Sequence, residues 1–256
     1  GGKFKEMPRI YEHEPPNISR VVDVFGGGGV VALSYSARGY PVHYNDRWPL
    51  IVEMWEMLRD TEKAEALEQE LRALVPSEEL HKQMTTYEGE TIPRLFYNAR
   101  CNITCQQYYK PTDTITPKKI RDEAGALVWP PSVLPKTLRL NRFAPLVKTW
   151  EITNADGLDI IKRYQEDTGA FLYLDPPYVS RTATQYADQF TVAELLKIRD
   201  ILADPKTLCR IMLNIDYSGW TRETFAPWFK SSYPVKYGLT RNLSIYQKYH
   251  LMIANY

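Results

Sequence analysis

The stretch SRVVDVFGGGGVVALSYSARGYPVHYND, Ser19–Asp46, has the pattern of a strand, a glycine-rich turn, a helix and a second strand. Its first six residues, SRVVDV, form a short β-branched run that predicts a strand ending at Asp23, and the helical spacing that follows the glycines stops at Gly39. The segment PVHYND predicts another strand that ends at Asp46. A βαβ start of this kind implies a parallel sheet with helices on its faces.

The same alternation returns after Thr149. EITNADGLDIIKRYQ predicts a strand, a turn and a helix, and GAFLYLDPPY predicts an apolar strand that runs into a Pro-Pro turn. Further along, TVAELLKIRDIL predicts a helix opened by Thr191, LCRIMLNID a strand, WTRETFAPWF a short helix and HLMIANY a final strand. We therefore predict an α/β fold with a Rossmann-like, open, mostly parallel sheet built from residues 1–60 and 148–256, with residues 61–147 inserted.

Composition excludes several classes of protein. The chain has 256 residues, of which 25% are charged, and its formal net charge is +1. A uniformly basic coat for nucleic acid is thus excluded, although a local basic patch is not. No apolar run approaches the roughly 18 residues of a membrane helix, and GGKFKEMPRI lacks the apolar core of a signal peptide. Three Cys cannot form a disulfide framework, so we expect a reducing, cytoplasmic setting and no membrane association.

The inserted region contains a basic segment. From Thr91 to Trp150, Lys and Arg far outnumber Asp and Glu, and aromatic residues lie between them. Such interleaving suits contact with nucleic-acid phosphates and bases. We favour this interpretation over a surface loop whose charges have no binding role. The residues proposed here for nucleic-acid contact are Tyr97, Asn98, Arg100, Asn102, Lys118, Lys119 and Arg121, the last three as phosphate contacts. A structural role is an equal alternative for Tyr97, Asn98, Arg100 and Asn102.

The turn DVFGGGG, Asp23–Gly29, predicts a ligand site, because ligands of open parallel sheets bind at the carboxyl ends of the strands. Four consecutive glycines let the backbone approach a ligand and direct amides at it, whereas a simple tight turn needs fewer. Asp46, about 20 residues further on, can accept hydrogen bonds from both hydroxyls of a ribose. Its alternative role is that of a helix N-cap.

The motif LYLDPPYV, Leu172–Val179, supplies the chemistry. Its apolar strand delivers Asp175 to the same sheet edge as the glycines, and Pro176 and Pro177 fix the turn that follows. The Asp175 carboxylate and the Pro176 carbonyl can accept the two hydrogens of an aromatic amine, which directs its lone pair at an electrophile. Tyr178 adds a ring that can stack on a planar base.

DPPY, preceded by a motif like FxGxG, resembles the bacterial Dam-type adenine-specific DNA methyltransferases. GGK at Gly1–Lys3 is similar to the family's N-terminal cofactor motif, FYNARCNITC to its start of DNA recognition, and LNIDYS and HLMIANY to its closing strands. The sequence departs from the family pattern at Val24, where Pro is usual, at Gly26, where a larger residue is usual, and at His250, which replaces an acid.

The resemblance implies S-adenosylmethionine as cofactor, double-stranded DNA as substrate and methylation of adenine N6 after base flipping. It also implies a monomer in a bacterial or phage-infected cell, and a DNA target-recognition role for residues 61–147. The residues it assigns to cofactor binding are Lys3, Asp23, Phe25, Gly26, Gly27, Gly28, Gly29, Asp46, Asp156 and Asp175, and those it assigns to catalysis are Asp175, Pro176, Pro177 and Tyr178.

No metal is expected, because Cys101 and Cys105 are too few for a zinc site and the four His have no ligand spacing. Two alternatives remain open at this point. One is an amino-methyltransferase that acts on cytosine or on RNA, although cytosine enzymes more often carry Ser in place of Asp175. The other is a non-catalytic DNA-binding relative of the fold.

Overall fold

The computed structural model of the chain describes residues 3–86, 89, 91–101, 119–177, 190–237 and 246–256. These residues fall into two compact units. The first comprises the described residues up to Val52 and those from Thr149 onward, and the second comprises those from Glu53 to Lys148.

Helices and strands alternate over much of the chain, but four helices follow one another between Pro49 and Cys101. The helices are α1 (Met7–Glu12), α2 (Val30–Ser36), α3 (Pro49–Leu58), α4 (Thr61–Ala73), α5 (Glu78–Thr86), α6 (Ile92–Cys101), α7 (Ala144–Val147), α8 (Gly157–Tyr164), α9 (Val192–Ala203) and α10 (Gly219–Thr224). The strands are β1 (Arg20–Asp23), β2 (Val42–Asn45), β3 (Ile120–Arg121), β4 (Leu127–Val128), β5 (Glu151–Thr153), β6 (Ala170–Leu174), β7 (Arg210–Asp216), β8 (Phe229–Tyr237) and β9 (Tyr246–Ala254). Short 3-10 helices span Lys3–Lys5, Leu140–Phe143 and Ala226–Trp228.

The first unit is built on a seven-stranded sheet with the order β5-β2-β1-β6-β7-β9-β8. Neighbours from β5 to β7 are parallel, whereas β9 runs antiparallel to β7 and β8 antiparallel to β9. The predicted mainly parallel α/β sheet is therefore confirmed, and β8, which the sequence did not predict, is added at its edge. The inserted region as a DNA-recognition module stays a prediction.

Burial of the central strands explains why the sheet forms from this sequence. All five residues of β6 are buried, as expected for a parallel strand covered on both faces. Val22, Leu172 and Ile211, one from each of three neighbouring strands, belong to one apolar cluster, which α8 and α9 complete with Ile161 and Ile198. Helix α9 begins at the predicted residue, since Thr191 and Glu194 form a capping box.

The second unit is mainly helical. Asp60 caps α4 by accepting hydrogen bonds from the backbone N–H groups of Glu62 and Lys63. The apolar side of α4 is buried, and Glu68 at its polar side accepts a hydrogen bond of 2.7 Å from the Leu140 N–H. The strands β3 and β4 pair as a two-stranded antiparallel hairpin. The second unit is therefore compact and mainly helical, and it carries the exposed β3–β4 hairpin.

Candidate active site

The carboxyl edge of the parallel strands brings the predicted site residues together. Asp23 pairs in register with Tyr173, and the Val24 N–H donates to the Tyr173 carbonyl at 3.1 Å. Because β1 and β6 are parallel neighbours, Phe25 and Asp175 leave the sheet side by side. The glycine turn and the DPPY motif therefore begin at adjacent positions of one edge.

Asp175 follows the buried strand β6 directly, and its side chain is about a quarter exposed, at 23%. Pro176 is buried and Pro177 is half-buried, so the Pro-Pro turn packs against the protein on one side. Tyr178, the predicted stacking residue, lies outside the described residues. The carboxylate is thus accessible at the end of a rigid strand.

A buried lysine holds this carboxylate. Lys3 Nζ lies 3.1 Å from Asp175 Oδ1 and 3.3 Å from Glu6 Oε2. Burial alone would lower the pKa of Lys3, but the two carboxylates outweigh it and raise that pKa. Burial raises the pKa of Asp175, and the Lys3 ammonium group opposes part of this rise. The site is therefore centred on an ion pair between the N-terminal segment and the sheet edge.

The glycine turn leaves open space beside its backbone. Gly27 and Gly29 have φ angles of 49° and 66°, in the left-handed region that glycine adopts most readily. A Cβ at Gly26 would lie 2.2 Å from the ring of Tyr44, so the ring occupies the place of a side chain there. At Gly27 and Gly28, by contrast, an added Cβ would have nothing within 4 Å. These two residues border a space that a ligand can occupy.

Asp46 lies against the same turn. Its Oδ2 accepts a hydrogen bond of 2.7 Å from the Gly27 N–H, and its Oδ1 accepts one of 2.8 Å from the Trp48 N–H. Burial raises its pKa, and these backbone donors oppose the rise. The backbone N–H of Arg47 also acts on this carboxylate, and an ionised carboxylate offers about four lone-pair sites, so acceptor capacity for a ligand remains beside the three backbone donors.

Asp23 is buried behind the turn and accepts a hydrogen bond of 3.1 Å from the Ala32 N–H in the first turn of α2. Burial raises its pKa to about 7, and the nearby carboxylates of Asp175 and Asp46 contribute to the rise. Asp23 therefore lies within electrostatic reach of both other acids. Asp23 itself serves as a support of the turn.

Asp156 and Phe25 form the side of the site next to α8. Asp156 caps α8 by accepting a hydrogen bond of 2.8 Å from the Leu158 N–H. The Phe25 ring packs so closely on Gly157 that an added Cβ would lie 2.6 Å from it. Its edge also meets the ring of Phe190, with the centroids 5.5 Å apart. The aromatic residue of the turn is thereby fixed in place.

The predicted DNA-contact residues are divided by the structure. Tyr97, at 0% exposure, and Asn98, at 2%, are buried in α6, and the Tyr97 hydroxyl lies 3.1 Å from His81 Nδ1. Their burial argues against the predicted contact with DNA, because an interior side chain cannot reach a phosphate or base. Arg100 belongs to α6, with its side chain outside the described part, and Asn102 and Lys118 lie outside the described residues.

Lys119 and Arg121, in contrast, are exposed on the β3–β4 hairpin. Lys119 Nζ lies 5.3 Å from the centroid of the Trp129 ring, and the Arg121 guanidinium donates to the Gly125 carbonyl at 2.6 Å. The Asp122 carboxylate accepts from the Ala126 N–H and shapes the tight turn between the two strands. Both basic groups are therefore presented on a short ordered hairpin.

Sequence reasoning missed the polar residues behind Lys3. Besides Glu6, they are Asn214 on β7, Tyr233 on β8 and His250 on β9, and the last three are buried. The one available signal was His250, a departure from the family pattern.

Within the described ranges, no three His, Cys, Asp or Glu side chains are arranged to hold a metal ion. None of the described helices has the length and apolar character needed to cross a membrane.

Comparison with known proteins agrees with the geometry. No curated protein matches the chain. The family model of D12 class N6 adenine-specific DNA methyltransferases matches residues 1–204, which is most of the chain and includes the glycine turn, Asp46 and the DPPY motif. On that match, and as the DPPY resemblance predicted, the chain belongs to the family of D12 class N6 adenine-specific DNA methyltransferases, enzymes that methylate adenine in DNA.

Proposed function

We propose that this adenine-specific DNA methyltransferase binds S-adenosylmethionine at the carboxyl edge of the sheet and methylates an adenine that has left the duplex. One observation carries the proposal: Asp175 leaves β6 beside the glycine turn, and the open space at Gly27 and Gly28 lies on that edge. Membership of the family favours adenine in DNA over cytosine or RNA, and an enzyme over a non-catalytic relative.

The residues at the edge fit this cofactor. Asp46 would accept from the ribose hydroxyls, while its bonds to the Gly27 and Trp48 N–H groups fix its carboxylate. The residues Phe25–Gly29 would enclose the methionine part, and Asp156, at the start of α8, would lie toward the adenine part. When bound, S-adenosylmethionine supplies an electrophilic methyl group.

The chain's own residues orient the target amine. Inside a duplex the amino group of adenine is paired and unreachable, so the base must be extruded. We assign Asp175 and the carbonyl of Pro176 as acceptors of the two amine hydrogens, with Tyr178 stacked on the base. The rigid exit of β6 fixes both acceptors, and positioning of this kind supplies much of the rate enhancement. The amine lone pair then faces the methyl donor, and the amine proton is lost after transfer.

We further propose that residues 61–147 recognise the DNA target and that the catalytic domain comprises residues 1–60 and 148–256. The exposed charges of Lys119 and Arg121 on the β3–β4 hairpin support a phosphate contact. A monomeric enzyme remains our expectation, which analytical ultracentrifugation with and without duplex DNA tests.

The decisive experiment incubates the purified chain with methyl-tritiated S-adenosylmethionine and duplex DNA, then separates the nucleosides. Label is expected on N6-methyladenine and on no cytosine product. Asp175→Ala should abolish transfer while Asp200→Ala, at an exposed position of α9, should leave it unchanged. Full activity of Asp175→Ala would refute the assigned role of the carboxylate.

A further inference from the structure

Glu6 occupies a helix-capping position without capping the helix. Its carbonyl accepts the N–H groups of Arg9 and Ile10 at the start of α1, but its side chain makes no capping hydrogen bond. The carboxylate is 84% buried, with 16% exposed, and contacts the same Lys3 ammonium group as Asp175 does. A buried carboxylate is costly to maintain unless polar partners compensate it, so these partners indicate its role.

Those partners come from three strands of the sheet. The Tyr233 hydroxyl donates to Glu6 Oε2 at 2.6 Å, and the Asn214 amide donates to the same oxygen at 3.3 Å. His250 Nδ1 lies 3.7 Å from that oxygen. Tyr233 OH also lies 2.9 Å from Asn214 Oδ1, which ties two of the partners to each other. The carboxylate of an N-terminal residue is thus hydrogen-bonded to β7 and β8 and lies next to His250 of β9.

This anchor keeps Glu6 ionised. Burial by itself would raise the pKa of Glu6, but His250, Lys3 and Tyr233 outweigh it and lower that pKa to about 2. Lys3 lies in a short 3-10 helix outside the sheet, and a lysine side chain has considerable rotamer freedom. Contacts from its ammonium group to two carboxylates restrict that freedom.

We propose that Glu6 is a positioning residue of the methyl-transfer reaction: fixed to the sheet by Tyr233 and Asn214, it holds Lys3 where the ammonium group keeps Asp175 in place. The inference rests on the proposed function, in which Asp175 orients the target amine. Glu6 contacts the site through Lys3 and touches neither the cofactor nor the base, although its charge also tends to raise the pKa of Asp175.

The chain contains a matched comparison for a purely structural ion pair. Glu14 lies in the same N-terminal segment, its side chain is 15% exposed, and it pairs with Arg38. Neither of these residues contacts Lys3 or Asp175 through any hydrogen bond or ion pair described for them. Glu14→Gln therefore removes a similar carboxylate charge without disturbing the proposed chain of contacts.

The test measures single-turnover methyl transfer at saturating S-adenosylmethionine and DNA, together with DNA affinity and melting temperature. Glu6→Gln should lower the rate constant by about 10- to 100-fold, the scale of a small misplacement, while DNA affinity stays unchanged. Glu6→Asp, which keeps the charge, should recover part of the rate. Glu14→Gln should react at the wild-type rate even if it melts earlier.

A folded Glu6→Gln enzyme that reacts at the wild-type rate would overturn the inference, as would an equal slowing in Glu14→Gln. If Glu6→Gln does not fold, Tyr233→Phe decides, because it removes the hydroxyl that fixes Glu6: slowing supports the inference and a wild-type rate contradicts it. Asp175→Asn in the same assay separates the two proposals. A fully active Asp175→Asn refutes the proposed function, whereas an inactive one beside a fully active Glu6→Gln refutes only the role of Glu6.

Discussion

The ammonium nitrogen of Lys3 lies 3.1 Å from Oδ1 of Asp175, so a residue from the start of the chain holds the carboxylate at the exit of β6. The pair joins two motifs that are far apart in sequence, GGK and DPPY. The same Lys3 ammonium group also contacts a second carboxylate, since Lys3 Nζ lies 3.3 Å from Glu6 Oε2. The N-terminal segment therefore contributes to both the charge state and the position of Asp175.

The first prediction concerns the charge of Lys3. Burial already raises the pKa of Asp175, and Lys3 holds it down, so removal of the cation in Lys3→Met must raise this pKa further. Because the proposed mechanism needs the carboxylate form, the acid limb of the profile of kcat/KM against pH should move to higher pH. Lys3→Arg, which keeps the positive charge, should leave the limb close to that of the wild type. An unchanged limb in Lys3→Met would contradict the assignment.

The second prediction compares two glycines of one turn. A Cβ at Gly26 would overlap the ring of Tyr44, whereas at Gly28 it would enter open space. Gly26→Ala should therefore destabilise the protein by about 1–3 kcal/mol, the usual cost of overpacking. Gly28→Ala should melt close to the wild type but bind S-adenosylmethionine more weakly. Scanning calorimetry measures the stability of each variant, and titration calorimetry measures its affinity for S-adenosylmethionine. Wild-type cofactor affinity in Gly28→Ala would exclude this space as the cofactor site.

The third prediction is a pH dependence of stability. Burial raises the pKa of Asp23 from 3.8 to about 7, so the folded chain binds more protons than the unfolded chain between these values. The contribution of Asp23 to stability is complete below the unfolded pKa and is lost as the pH rises through the folded pKa.

The substitution Asp23→Asn keeps an oxygen that can accept a hydrogen bond from the Ala32 N–H. The amide that replaces the carboxyl group cannot ionise. The substitution should therefore raise the melting temperature clearly more at pH 8, where folded wild-type Asp23 is charged, than at pH 5, where folded Asp23 is still protonated and only part of its contribution is lost. Melting of both proteins in the absence of ligand, followed by circular dichroism across this range, gives the comparison. Equal shifts at the two pH values would contradict the raised pKa.

The fourth prediction tests the β3–β4 hairpin. If Lys119 and Arg121 contact phosphates, their joint replacement by Gln should weaken duplex binding for all sequences and reduce the slope of log K against log salt by about 2. The matched control replaces two exposed lysines of the first unit, Lys162 and Lys197, and should leave the slope unchanged. A loss confined to one DNA sequence would instead indicate contact with bases.

Local pattern was sufficient to predict most of the sheet. Apolar and β-branched runs marked β1, β2, β6 and β7, and the Thr191 cap marked the start of α9. The strand β8 was missed because KSSYPVKY has polar residues and a proline, which suit only an edge strand. Its pairing with β9 is also irregular between Phe229 and Ser231. Such a strand forms because β9 offers a partner, which its own sequence does not reveal.

The DNA-contact candidates show the same limit. Tyr97 and Asn98 have the composition of a nucleic-acid surface, but packing in the second unit buries both. A basic and aromatic pattern predicts a role for the segment as a whole. Which of its side chains face solvent depends on how the neighbouring helices pack.

By itself, the sequence determined the parallel sheet, the glycine turn and the arrival of Asp46 and Asp175 at one edge, since parallel strands all end on the same side. Tertiary structure alone decided that Glu6, Asn214, Tyr233 and His250 meet behind Lys3, because they come from four separate segments. Short-range periodicity specifies each element and the face it buries. The meeting of distant polar side chains depends instead on strand order and register, which only the folded chain sets.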